Sequence, residues 1–174
     1  MTWPPPVPTI AVVVVVTAAA VGDLRSRRIP NALTLGAAAV AIAVHGLLNG
    51  WSGVFLAASG WAVGLVLFFP LFALGGMAAG DVKLLGAIGA WLGPTGAVWT
   101  GLYGAIAGGI MALAVALARG YARTAVRNVW AILRLWSVIG VQPVEGLTLA
   151  DKTSVTLPYA LPLAAGALVT LWMQ

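Results

Sequence analysis

The 174-residue chain carries 61% hydrophobic and only 7% charged residues, and its mean hydropathy is +1.03. A water-soluble domain carries about 25% charged residues, so this composition excludes an ordinary soluble globule. The absence of Cys excludes disulfides, thiolate catalysis and cysteine-ligated zinc, and the single His excludes a histidine-cluster metal site. No metal or cofactor is therefore expected. The net charge of +5 is assigned to orientation in a membrane rather than to nucleic-acid binding, because the basic residues lie at the ends of apolar runs.

The apolar runs predict an all-α, polytopic membrane protein with six transmembrane helices in a single domain, residues 1–174. The expected segments are residues 7–21, 32–48, 52–74, 82–92, 95–118 and 155–173. Asn49-Gly50 and Gly93-Pro94 predict tight turns between neighbouring segments. The fourth segment gives a helix of roughly 20 Å, shorter than the ~30 Å hydrocarbon core, and we predict a short crossing.

The distribution of charge predicts the orientation of these segments. If all six cross, every charged side chain lies in the loops at 22–31, 75–83 and 119–155, which then share one face. If the fourth segment turned back instead, five basic residues would move to the opposite face. The positive-inside bias favours six crossings, with the charged face in the cytoplasm and both termini outside.

The stretch after the fifth segment has a different pattern. Four Arg, at positions 119, 123, 127 and 134, fall within a wedge of about 80° on a helical wheel. Apolar residues lie mostly on the other side, at Val126, Val129, Leu133 and Trp136. This pattern is typical of an amphipathic helix in the cytoplasmic interface, with its Arg among lipid headgroups. An extension of the fifth segment is the alternative.

The chain has only four acids, and two of them, Asp23 and Asp81, lie where a carboxylate is costly, at the ends of long apolar runs. On six spans both reach the cytoplasmic face. Two carboxylates close enough to share a proton activate water for peptide hydrolysis without Ser, Cys or metal. The other two acids, Glu145 and Asp151, are expected in a solvated loop.

Glycines surround the second acid. Gly75, Gly76 and Gly80 are expected to give the backbone conformations closed to other residues and to let helices approach closely. Irregular backbone at membrane depth survives only where it is packed in protein or lines a water-filled cavity. A membrane peptidase needs such a cavity, because water and an extended substrate must both reach the acids.

Two motifs and one later segment carry a resemblance to a known family. Asp23 precedes Arg28-Ile29-Pro30-Asn31, the second acid lies in Gly80-Asp81-Val82-Lys83-Leu84, and the later segment is Leu157-Pro158-Tyr159-Ala160-Leu161-Pro162. The chain thereby resembles the type IV prepilin peptidases, a family of GxGD membrane aspartic proteases, over most of its length. One departure is Ala78, which stands where the GxGD motif has its first Gly and where a positive φ would be strained.

The resemblance implies that Asp23 and Asp81 are the catalytic dyad, supported by Gly80, Lys83, Pro30 and Asn31. The implied substrate is the leader of a prepilin or pilin-like protein, cut at the cytoplasmic face of the bacterial inner membrane. The longer family members add paired CxxC motifs linked to N-methylation. This chain resembles the short type found with tight-adherence (Flp) pilus systems, and no methyltransferase activity is expected.

Other interpretations stay open at this point. The two acids could bind a cation or relay protons in a small transporter, although a transporter's acids usually lie near the bilayer midplane at a repeat interface. Ala78 leaves room for an inactive assembly scaffold. Locally, Asp23 could offset neighbouring Arg residues, Asp81 could be a helix N-cap, Lys83 could be an interfacial anchor, and His45 is expected to be structural.

Overall fold

The computed structural model describes residues 6–142 and 157–173 of the chain, and these form an all-α fold. The helices are α1 (Pro6–Ser26), α2 (Asn31–Ala73), α3 (Ala79–Ala118), α4 (Ala122–Ile139) and α5 (Ala160–Met173). Glu145, Asp151 and the beginning of the predicted sixth segment lie outside the described residues. The all-α prediction is therefore confirmed for the part of the chain that the structure describes.

Three helices are long and apolar enough to cross a membrane, over Val7–Ser26, Asn31–Ala73 and Ala79–Ala118, and α5 is a shorter apolar helix. Large apolar side chains cover their outer surfaces; Leu47 is 87% exposed and Val66 is 71% exposed. Such a surface is suited to lipid rather than water. The helices thus suggest a membrane protein, while the number of six crossings stays a prediction.

Helix α2 turns back on itself at Gly50, which has φ +62°. A side chain on Gly53 would collide with the backbone carbonyl of His45, eight residues earlier. Eight residues along a straight helix span about 12 Å, so this contact requires a reversal of the chain. The turn predicted at Asn49-Gly50 is confirmed, and α2 consists of two arms that run in opposite directions.

Helix α3 reverses in the same way at Gly93, with φ +74° followed by Pro94. A Cβ on Gly89 would lie 2.9 Å from the Cβ of Ala97, again eight residues away. The predicted turn at Gly93-Pro94 is therefore confirmed. The reversals at Gly50 and Gly93 return the chain to the end of the molecule where Asp23 and Asp81 lie.

The positions of the two acids relative to the helices differ from the prediction. Asp23 was expected in a loop after residue 21, but α1 continues to Ser26 and contains it. Asp81 was expected at the end of a loop or as an N-cap, but the N-cap of α3 is Ala78 and Asp81 lies three residues inside. Both helices extend further than predicted. The Arg27 N–H still donates to the Asp23 carbonyl over 2.9 Å, and the Asp81 N–H donates to the Ala78 carbonyl over 3.1 Å.

Helix α3 is the centre of the fold and packs against α2, α5 and α1. Its fully buried side chains Leu84, Leu85 and Ile88 follow directly after Asp81, and Leu163 of α5 is also fully buried. Interiors of this kind are close-packed, so the first turns of α3 are held firmly in place. The core therefore fixes the position of Asp81.

Helix α4 is separate from α3, because Gly120 adopts φ +73° between them. This excludes the alternative that it extends the fifth segment. Its apolar side chains are uncovered, with Val129 55%, Trp130 70% and Val138 78% exposed. The predicted amphipathic helix is present, although it begins at Ala122 and so leaves out Arg119.

Candidate active site

Two carboxylates are buried at one end of the helical bundle. Asp23 in the last turn of α1 is 7% exposed, and Asp81 in the first turn of α3 is 6% exposed. Carboxylates are almost never buried to this degree unless they have partners, since removing the charge from water is costly. The partners of each acid therefore explain how the fold tolerates it.

Asp23 is held by the N-terminus of another helix. Its Oδ2 accepts a 3.2 Å hydrogen bond from the backbone N–H of Ala160, the first residue of α5. The first N–H groups of a helix have no partner within the helix, and the helix N-terminus favours a negative charge. Asp23 therefore caps α5 and fixes α1 against it, across a separation of 137 residues.

Asp81 is held by its own helix start. The Asp81 N–H donates to the Ala78 carbonyl over 3.1 Å, and the carboxylate lies in the first turn of α3, where a helix N-terminus favours a negative charge. The start of α3 therefore stabilises the charge of Asp81, and the side chain lines the cleft beside it.

The two acids and Tyr159 lie in one cleft. The two carboxylates lie close enough for the charge of one to act on the other. The cleft has a volume of about 620 Å³. Both sequence motifs and the residue before α5 contribute to its lining, which includes Asp23, Arg27, Arg28, Ile29, Pro30, Asn31, Met77, Gly80, Asp81, Lys83, Ala112 and Tyr159. Ligand pockets typically enclose about 300–1,000 Å³, so the cleft has room for a few residues of an extended peptide.

The residues predicted to support the acids line the same cleft. The Nζ of Lys83 donates a 2.9 Å hydrogen bond to the side-chain oxygen of Asn31, the first residue of α2. Pro30 is the N-cap of α2 in an extended conformation, with φ −62°. The two sequence motifs are therefore joined directly, and Lys83 does more than anchor the chain at the interface.

The glycines around Asp81 differ in what they contribute. Gly75 has φ +73°, whereas Gly76 and Gly80 do not have positive φ values, so the expectation of special backbone conformations holds for Gly75 alone. Gly80 instead allows close approach, because a Cβ there would lie 3.3 Å from the Cβ of Ile29. Ala78 has φ −81° and ψ 148°, a conformation open to any residue, so Ala in place of Gly causes no strain there.

His45 lies away from the cleft. Its Nε2 is 3.2 Å from the carbonyl oxygen of Trp91, near the reversal at Gly93, and the two rings are tilted against each other. His45 therefore connects α2 to α3 at the opposite end from the acids. Among the described residues, no three His, Cys, Asp or Glu side chains are grouped so that they could hold a metal ion.

Tyr159 is the residue that the sequence did not single out. The segment 157–162 carried part of the family resemblance, but nothing in it separated one side chain from its neighbours. The position of Tyr159 beside the acids follows from the hydrogen bond between its neighbour Ala160 and Asp23, which is a tertiary contact. A local pattern could not have revealed it.

Comparison with known proteins identifies a family that the chain matches. The model of the type IV leader peptidase family matches residues 10–113, a range that contains both acids and the motifs around them. Searches of curated proteins and of solved structures gave no significant match.

Proposed function

Since the chain belongs to the type IV leader peptidase family, we propose that it is an aspartic endopeptidase that uses Asp23 and Asp81 to remove the leader of a prepilin or pilin-like protein. The observation that carries the proposal is the common cleft, in which two buried carboxylates from different helices face the same space. Family membership supports a peptidase and a protein substrate. The pair of acids supplies the groups that activate water and stabilise the scissile carbonyl oxygen.

The proposed reaction follows from the chemistry of paired acids. Two like charges at short distance repel, so the pair holds one proton between them. The ionised carboxylate takes a proton from water as the water oxygen bonds to the scissile carbonyl carbon, and the carbonyl π electrons move to its oxygen. The protonated carboxyl stabilises that oxygen by a hydrogen bond. The tetrahedral intermediate collapses as the C–N bond breaks, and the amine nitrogen leaves with a proton from the pair.

The position of the acids supports a substrate that emerges from the membrane. Asp23 ends α1 and Asp81 begins α3, so the cleft lies at the end of the apolar helices rather than halfway along them. A prepilin has a polar leader followed by an apolar helix, and the bond between them would lie at the same depth. We assign this face to the cytoplasmic side of a bacterial inner membrane, following the positive-inside bias of the sequence.

The same geometry disfavours a transporter. Carboxylates that bind a transported ion usually lie near the bilayer midplane, where discontinuous helices meet. Here the reversals at Gly50 and Gly93 lie at the other end from the acids, and the acids occupy the first and last turns of their helices. The Ala78 conformation also removes the main argument for an inactive scaffold.

The proposal is tested with the purified chain in lipid vesicles. A synthetic segment with a short basic leader, a Gly at the junction and an apolar helix is added, and products are identified by mass spectrometry. We expect one cut after the leader. Vesicles in which no leader-bearing segment is cut, but in which the protein conducts cations or protons, would contradict the proposal and favour the transporter.

A further inference from the structure

Tyr159 occupies a place in the cleft that the two-acid mechanism does not use. Its side chain is half-buried and lines the cleft together with Asp23 and Asp81. The next residue, Ala160, donates its N–H to Asp23. The backbone that positions the phenol is therefore tied directly to one member of the dyad.

The ring and the hydroxyl are held by separate contacts. The ring packs edge-on against Phe68, with centroids 6.4 Å apart and an interplanar angle of 75°. The hydroxyl lies against α3, where a Cβ on Gly108 would be 2.6 Å from its oxygen. Ala112, one turn further along α3, lines the cleft. Gly108 thus makes room for the phenol at the cleft wall.

The phenol is a hydrogen-bond donor over the whole physiological range. The ordinary pKa of a tyrosine phenol is about 10, well above neutral pH. The hydroxyl therefore keeps its proton and can donate to an oxygen that gains negative charge.

We propose that the Tyr159 hydroxyl is a third functional group of this site, which donates a hydrogen bond to the scissile carbonyl oxygen as negative charge develops on it. The proposal rests on the proposed peptidase function and adds a neutral donor to the two acids. It also gives Gly108 a role, because the small residue keeps the hydroxyl in place. A donor that acts on the developing oxyanion lowers the barrier more than it strengthens substrate binding.

The test is Tyr159→Phe, which removes only the hydroxyl and leaves the ring against Phe68. Loss of one oxyanion donor typically lowers kcat by about 10²–10³-fold, and a donor that assists an acid pair should give about 10–100-fold with little change in KM. The matched control is Tyr103→Phe, because the Tyr103 hydroxyl hydrogen-bonds with the sulfur of Met173 and lies outside the cleft. We expect that control to keep wild-type kcat.

A second readout separates catalysis from a structural role. A leader peptide with a tetrahedral hydroxyl isostere at the scissile bond should bind Tyr159→Phe about tenfold more weakly, while the uncut substrate binds as to the wild type. Equal weakening of both ligands, or a lower midpoint of thermal unfolding with unchanged kcat, would overturn the proposal. If wild type itself cuts no leader, the peptidase proposal fails; if wild type cuts and Tyr159→Phe keeps its kcat, only this inference fails.

A neighbouring pair of glycines provides an independent check. Gly108→Ala places a methyl group against the Tyr159 hydroxyl, whereas a Cβ on Gly109 has nothing within 4 Å. We expect Gly108→Ala to lower kcat in the same way as Tyr159→Phe, and Gly109→Ala to leave it unchanged. Equal rates for the two alanine variants would contradict the proposed position of the hydroxyl.

Discussion

The ammonium group of Lys83 lies 2.9 Å from the side-chain oxygen of Asn31, and this hydrogen bond joins the start of α3 to the start of α2. The two residues belong to different sequence motifs, 52 positions apart. Asp81 lies two residues before Lys83 on the same helix, and Asn31 follows the loop that lines the cleft. The bond therefore holds the two walls of the cleft together.

We expect Lys83→Met and Asn31→Ala each to lower kcat/KM by about threefold to tenfold, because the bond is partly exposed and screened by solvent. Since the two side chains act through one bond, the double variant should be no slower than the worse single variant. Arg119→Met, which removes a cation outside the cleft, is the control. If the loss of kcat/KM in the double variant equals the product of the two single losses, the two residues act independently.

Substitutions at Gly80 and at Ala78, two residues earlier, are expected to affect the reaction rate differently. Gly80→Ala brings a Cβ to 3.3 Å from Ile29, which must move by a few tenths of an ångström. A misplacement of 1 Å costs about a hundredfold in rate, so we expect kcat to fall by about threefold to tenfold. Ala78→Gly restores the GxGD motif but relieves no strain, and its rate should stay within about twofold of wild type. A large gain in Ala78→Gly would show that the backbone at this position needs glycine.

Arg27 directly follows α1 and has a left-handed conformation, with φ +52°; no other non-glycine residue in the described ranges has a positive φ. Arg27→Gly and Arg27→Ala both remove the side chain and its interactions, so their difference isolates the backbone. We expect the Gly variant to be more stable than the Ala variant by about 1 kcal/mol in free energy of unfolding. The control pair is Arg25→Gly and Arg25→Ala within α1, where the order should reverse. Equal stabilities at position 27 would contradict the strained conformation.

Helix α4 is predicted to lie in the membrane interface. The chain has no Cys, so single cysteines carry a spin label at unique positions. A label at Val129, on the uncovered apolar side, should be reached more readily by oxygen dissolved in lipid than by a water-soluble relaxing agent. A label at Thr124, toward the Arg side, should show the opposite order. Equal access of the water-soluble agent to both positions would place the helix away from the lipid.

Local signals in the sequence predicted much of this fold. Gly50 and Gly93-Pro94 marked the two reversals, because glycine and proline are the residues that such turns require. The charges at the ends of the apolar runs predicted that Asp23 and Asp81 lie at one face of the membrane. In the structure the two acids line the same cleft. The helix ends were less predictable, since both acids lie within a terminal turn rather than in the adjoining loop.

The contacts between distant elements could not be predicted from the sequence. The hydrogen bond from Ala160 to Asp23 joins residues 137 positions apart, and neither residue type demands the other. The same is true of Gly108 and Tyr159, whose fit depends on how α3 meets the residue before α5. Such pairings are set by packing of the whole bundle, and they supply the third functional group of the proposed site.

The role of the two acids is tested most directly by leader removal in the full chain. Asp23→Asn keeps an oxygen that can accept the Ala160 N–H, so the α5 cap and the stability should survive while the carboxylate is lost. Asp81→Asn makes the same change at the other acid, and Asp151→Asn is the control for removing an acid outside the pair. We predict that the first two variants insert normally and lose cleavage by about a thousandfold or more, and that Asp151→Asn cuts at the wild-type rate. Leader removal that persists in either Asp23→Asn or Asp81→Asn would contradict a two-aspartate peptidase.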